Sequence, residues 1–143
     1  LHQFIIKNYT LKDGIKTRRT SEKSNYKNIA YLDILPKDNQ KKILLSDYEK
    51  YYNKNSGVLT VRNEDVIDIE YNLNFIIKLY ENGFKEMADN LLSNLEIIIE
   101  KNNSYIVPKI YLNKSNSAGI YGELLYLYLT AVQYRENNNE HTK

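Results

Sequence analysis

Between Val66 and Tyr80 the apolar residues return at three- and four-residue intervals, and this periodicity constrains the fold more than any other feature of the chain. Val66, Ile69, Leu73, Ile76 and Tyr80 form one stripe, and Phe75, Ile77 and Leu79 widen it. That spacing predicts an amphipathic helix whose wide apolar face needs cover on more than one side. Asn63 is a good cap residue, and Glu64 and Asp65 follow where acids favour a helix start, so the helix is predicted to begin there. Asn82-Gly83 predicts its end as a left-handed cap. Ala88, Leu91, Leu95 and Ile98, with Leu92 and Ile99, then make a second stripe opposite Glu86, Asp89, Asn90 and Asn94. So short a break between two helices forces them to lie antiparallel.

Weaker signals flank this hairpin. Phe4, Ile5 and Ile6 suggest the last turns of a helix, and Lys12-Asp13-Gly14 a turn leading into an extended Ile15–Arg19. Ile29, Leu32 and Leu35 give a short helical spacing stopped by Pro36. A further helix is predicted from Asp38 to Tyr52, with Ile43, Leu44, Tyr48, Tyr51 and Tyr52 near one face. Asn53 to Gly57 reads as a turn before a β-prone Val58–Arg62. Tyr105 to Leu112 reads as extended, able to pair only at an edge because of Pro108. Beyond a polar turn at Asn113–Asn116, Ile120, Leu124, Leu127 and Ala131 define a third helix that is apolar almost all round. Such a helix belongs inside something, and little chain is left to cover it, which points to an incomplete or self-associating molecule. The predicted class is all-α, with helix hairpins and short β-like loop segments, as one domain over 1–136 and a disordered polar tail over 137–143.

Bulk properties narrow the function by exclusion. Twenty Lys+Arg against 18 Asp+Glu leave a formal +2 with the signs interspersed, which gives no footprint for nucleic acid. No apolar run approaches a bilayer span. Beginning at Leu1 without an initiating Met, the chain reads as a mature product, a trimmed form or a fragment. There is no cysteine, so disulfides, thiolate metal sites and a cysteine nucleophile are excluded. His2 and His141 stand at opposite ends, which argues against a metal centre or a serine triad. Glycines 14, 57, 83, 119 and 122 form no phosphate-cradling loop, so no cofactor is expected. The 14 tyrosines suit half-buried core positions or sugar-binding surfaces.

Carboxylates remain as catalytic groups that need no cofactor. Glu22 lies in the polar Thr20-Ser21-Glu22-Lys23, where a solvated or capping acid is the plainer reading. Asp65, Asp68 and Glu70 cluster where acids complement a helix dipole, with Asp68 opposite the main stripe and expected at the surface. Glu123 follows Tyr121-Gly122 and reads equally as an N-terminal acid or a pocket group.

Several short motifs together resemble family-8-like glycoside hydrolases, which fold as α/α toroids of paired inner and outer helices around a sugar cleft. Residues 4–17 look like that family's opening helix end and glycine turn, and Ser21-Glu22 is similar to its Ser-Glu pair. Residues 52–60 followed by Asp68-Ile-Glu-Tyr-Asn-Leu73 look like the approach to its acidic inner helix, and 117–122 with 124–129 like a later one. The departures are Lys23 where the family has a small residue, and acids spread over Glu64, Asp65 and Asp68 instead of one compact pair. A closed ring needs roughly twice this length, so the resemblance implies an incomplete toroid. It further implies a polysaccharide or oligosaccharide substrate and a secreted or cell-surface setting. By it Glu22 is the general acid, Asp65 or Asp68 the second carboxylate, and Tyr26, Tyr71 and Tyr121 stack on sugar beside Glu123. The alternative is a non-catalytic helical module that docks a protein partner or a second copy of itself.

Overall fold

The computed structural model describes residues 10–11, 14–15, 29–60, 67–101, 108–109, 119–120 and 122–141. Strands β1 (Thr10–Leu11) and β2 (Gly14–Ile15) pair antiparallel on either side of positions 12–13. A 3-10 helix, Ile29–Ile34, precedes α1 (Lys37–Tyr51), and β3 (Tyr52–Asn53) pairs with β4 (Val58–Leu59). Helices α2 (Ile69–Glu81) and α3 (Lys85–Lys101) follow. Strands β5 (Pro108–Lys109) and β6 (Gly119–Ile120) pair before α4 (Gly122–His141). The fold is all-α, with four α-helices among the described residues and two-residue strands confined to connections.

Helix α2 lies at the centre of the described elements. Ten of its thirteen residues are buried, because α3 and α4 pack along it and the 3-10 helix and α1 cover other sides. The wide stripe read from the sequence has this cause. At its C-terminus Gly83 takes φ +83°, Phe84 N–H donates to Leu79 O at 2.9 Å and Gly83 N–H to Tyr80 O at 3.1 Å. These two bonds form a Schellman cap that turns the chain back. Helix α3 then packs on α2 through Ala88, Leu91, Leu92, Leu95 and Ile99. Ile29, Leu32 and Leu35 are buried at strict three-residue spacing, which matches the 3.0 residues per turn of a 3-10 helix.

The start of α2 differs from expectation. Asn63 is not its cap: Ile67 and Asp68 are non-helical and the helix opens at Ile69. The Asp68 carboxylate accepts the Tyr71 N–H at 3.1 Å, so this acid, not Asn63, satisfies an orphan amide of the first turn. Helix α4 differs at both ends. Ile120 belongs to β6 instead of the helix, and the helix continues through the Asn-rich 137–141, where a disordered tail was expected. Pro108 pairs within β5 as an edge residue should. The expected helix end near 4–6 and the turn at 113–116 lie outside the described residues.

Candidate functional site

Four buried polar residues, Gln40, Asn72, Lys78 and Asn82, tie one element to another. Asn72 stands in the apolar stripe of α2 and is fully buried. Its Oδ1 accepts the Leu59 N–H at 2.9 Å, while its Nδ2 donates to Leu59 O at 3.0 Å and to Asp68 O at 2.9 Å. Thr60 N–H donates to Tyr51 O, so the polar groups of Leu59 face away from β3, and the Asn72 amide completes them as a neighbouring strand would. Asn94 of α3 holds the other end of the hairpin, donating to Gly57 O at 2.9 Å. At the far end of α2, Gln40 donates to Leu35 O and accepts from Asn82, which joins α1 to the end of α2.

Lys78 is buried in α2, yet its ammonium reaches Asp33 at 2.6 Å and Glu81 at 3.1 Å. Burial opposes that charge, but the hydrogen bonds it donates to both carboxylates outweigh it and hold the lysine pKa above its usual value. A second cluster lies where α2, α3 and α4 meet. Tyr80 stacks on Tyr134 with ring centres 5.5 Å apart and donates its hydroxyl to Asp89. Glu96 of α3 receives Tyr128 at 2.5 Å and both terminal nitrogens of Arg135, all from α4.

The electrostatics of this seam describe a clasp. Burial alone raises a carboxyl pKa, but the hydrogen bonds from Arg135 and Tyr128 prevail and hold Glu96 below the usual range. A general acid needs the opposite shift. Burial, then the Glu96 carboxylate, push the Tyr128 phenol up to about 12, and burial with Asp89 pushes Tyr80 well above its ordinary value. Among the described residues no group of three His, Asp or Glu could hold a metal ion.

The carboxylates and rings read from the sequence fall unevenly. Asp68 is 5 % exposed, against the expected surface position, and its carboxylate serves as the cap of α2. Tyr71 is 2 % exposed with its ring tilted on Phe75 at 5.9 Å, so it presents no open face for a sugar. Glu22, Tyr26, Asp65 and Tyr121 lie outside the described residues, as does the side chain of Glu123 in the first turn of α4. Sequence reading missed Asn72, Lys78, Glu96 and Arg135. A polar residue inside an apolar stripe could have signalled the first two; Glu96 and Arg135 gave no comparable signal, being ordinary surface types 39 residues apart.

One surface remains without such ties. Residues 124–134 of α4 carry no charge, yet among residues 124–138 only Leu124 and Ala131 are fully buried. Leu125 is 40 % exposed, Leu129 56 % and Tyr126 70 %. The third helix is thus apolar almost all round, as the sequence indicates, but one face of it is open. No helix is long and apolar enough to cross a membrane among the described residues. Comparison with protein-family models, characterised proteins and solved structures finds no match for this chain.

Proposed function

We propose that this chain is a non-catalytic helical interaction module, in which the outer face of α4 receives the apolar face of another helix. The observation that carries it is the exposure of Leu125, Tyr126 and Leu129 along a three-turn stretch with no charge. Large apolar side chains scattered singly on a surface are ordinary, whereas three within five residues of one helix form a contiguous patch. The nearest charged pair, Glu96 with Arg135, is satisfied within the chain and offers nothing to a charged ligand. An uncharged helix face selects an uncharged, apolar partner.

The test is binding of an environment-sensitive apolar dye, anilinonaphthalene sulfonate, at micromolar protein. The folded chain should enhance its fluorescence, and Leu125→Lys with Leu129→Lys should abolish the enhancement while far-UV circular dichroism is unchanged. A folded chain that leaves the dye silent would refute the proposal. The carbohydrate-hydrolase reading stands on Glu22 and Asp65, with Asp68 engaged as a cap and Tyr71 enclosed. Polysaccharide cleavage that Glu22→Gln abolishes would establish that reading over this one. In an incomplete toroid the same face of α4 is where a further helix pair would stack.

A further inference from the structure

Asn82-Gly83, at the bend between α2 and α3, is the only Asn-Gly pair in the chain. In an open chain such a pair deamidates. The Gly83 nitrogen attacks Asn82 Cγ, a C–N bond forms, the Cγ–Nδ2 bond breaks, and Nδ2 leaves as ammonia with the proton that the Gly83 nitrogen gives up. Water then opens the five-membered succinimide at either carbonyl, leaving an aspartate or an isoaspartate at position 82. A following glycine favours the attack, since it has no Cβ to shield its nitrogen.

The fold closes this path at each step. Ring closure needs the Gly83 nitrogen eclipsed with the Asn82 side chain, at a ψ of about −120°, outside the allowed basins of an L-residue. In the structure ψ of Asn82 is 8°, which turns that nitrogen away from Cγ. The Gly83 N–H is held by Tyr80 O at 3.1 Å. The leaving amide is held twice, Nδ2 donating to Lys78 O at 2.9 Å and to Gln40 Oε1 at 3.2 Å. Asn82 is 7 % exposed, and among the described residues no donor reaches its Oδ1 to polarise the carbonyl.

We propose that Asn82-Gly83 is a deamidation site gated by the fold, which reacts only in chains whose α2–α3 bend has opened and then marks them permanently. The mark is permanent because neither product rebuilds the cap. An aspartate turns a carboxylate toward two acceptors, Lys78 O and Gln40 Oε1, at the negative end of the α2 dipole. Gln40 cannot turn its own amide to receive it without giving up its bond to Leu35 O at 2.7 Å. An isoaspartate lengthens the backbone inside the turn, so the bonds from Gly83 N–H and Phe84 N–H to Tyr80 O and Leu79 O no longer close together.

Peptide mass mapping of the full chain reads conversion at Asn82, in mildly alkaline buffer and in guanidinium chloride. Conversion in buffer should be at least about a hundredfold slower than in denaturant, because a bend inside a packed helix hairpin opens rarely. A folded-state rate above about one-hundredth of the denatured rate overturns the gate. Gly83→Ala should slow the reaction in denaturant; a rate it leaves unchanged means direct hydrolysis of the side chain and overturns the inference. Converted chains returned to buffer should fail to refold or unfold at a lower denaturant midpoint than unconverted chains given the same treatment. An unchanged midpoint overturns the mark.

Discussion

Asn72 offers the sharpest test of how this fold is held. Replacing it with leucine keeps the shape of the side chain and removes both hydrogen-bonding atoms. Asp68 O retains the Asn72 N–H at 3.1 Å, so its loss is minor. Leu59 N–H and Leu59 O each lose the side-chain partner they have at 2.9 and 3.0 Å, inside the protein and turned away from β3. A buried backbone group left without a partner costs about 1–3 kcal/mol. Two such groups, less the gain from burying leucine in place of an amide, give a net loss of about 3 kcal/mol. For a domain of this size that lowers the melting temperature by roughly 10 °C. Urea titration followed by circular dichroism measures the free energy, and hydrogen exchange at the Leu59 amide reports the local effect. Asn72→Asp should be worse at neutral pH, because it points a carboxylate at the two carbonyl oxygens that Nδ2 now serves. If Asn72→Leu unfolds within 1 kcal/mol of the wild type, the reasoning from unsatisfied backbone groups is wrong here.

Three further outcomes follow from the same geometry. Gly57 and Gly83 both take positive φ, but an added Cβ at Gly83 meets nothing within 4 Å, whereas at Gly57 it would stand 2.6 Å from Asn94 Nδ2. Gly83→Ala should therefore cost about 1 kcal/mol and Gly57→Ala clearly more, and equal costs in urea titration would count against the Asn94 contact. Lys78→Met, which keeps the buried stem and drops the charge, should be milder than Lys78→Ala, which leaves a void; Asp33 is exposed enough to regain water when its partner goes. The clasp predicts stability lost at both pH extremes. The Tyr128 phenol is raised from 10.0 to about 12, so its contribution is complete below pH 10 and lost as pH rises toward 12. Glu96 is lowered from 4.5, so its contribution is present above pH 4.5 and lost as pH falls through the lower folded value. Urea midpoints of Tyr128→Phe should change less between pH 9 and 11 than those of the wild type, and parallel curves would refute the role given to this phenol.

Periodicity alone determined the α2–α3 hairpin, its Asn82-Gly83 stop and the burial of Ala88, Leu91 and Leu95, because an apolar stripe at helical spacing has one way to leave water. The alternation into Val58–Leu59 and the turn before it were equally local. What the sequence did not determine was where α2 begins. Asn63 and Asp68 are both good caps, and the choice fell to Asp68, where β4 lies close enough for Asn72 to join strand and helix. Nor did composition tell which side of α4 would be enclosed. Its residues are apolar on every face, so direction came from the clasp of Tyr128 and Arg135 onto Glu96, a pairing across 39 residues that no local pattern encodes. That clasp turns one apolar face of α4 onto α2 and leaves Leu125, Tyr126 and Leu129 outward. Short-range apolar spacing fixed the elements, and long-range polar satisfaction fixed their register and the surface left for a partner.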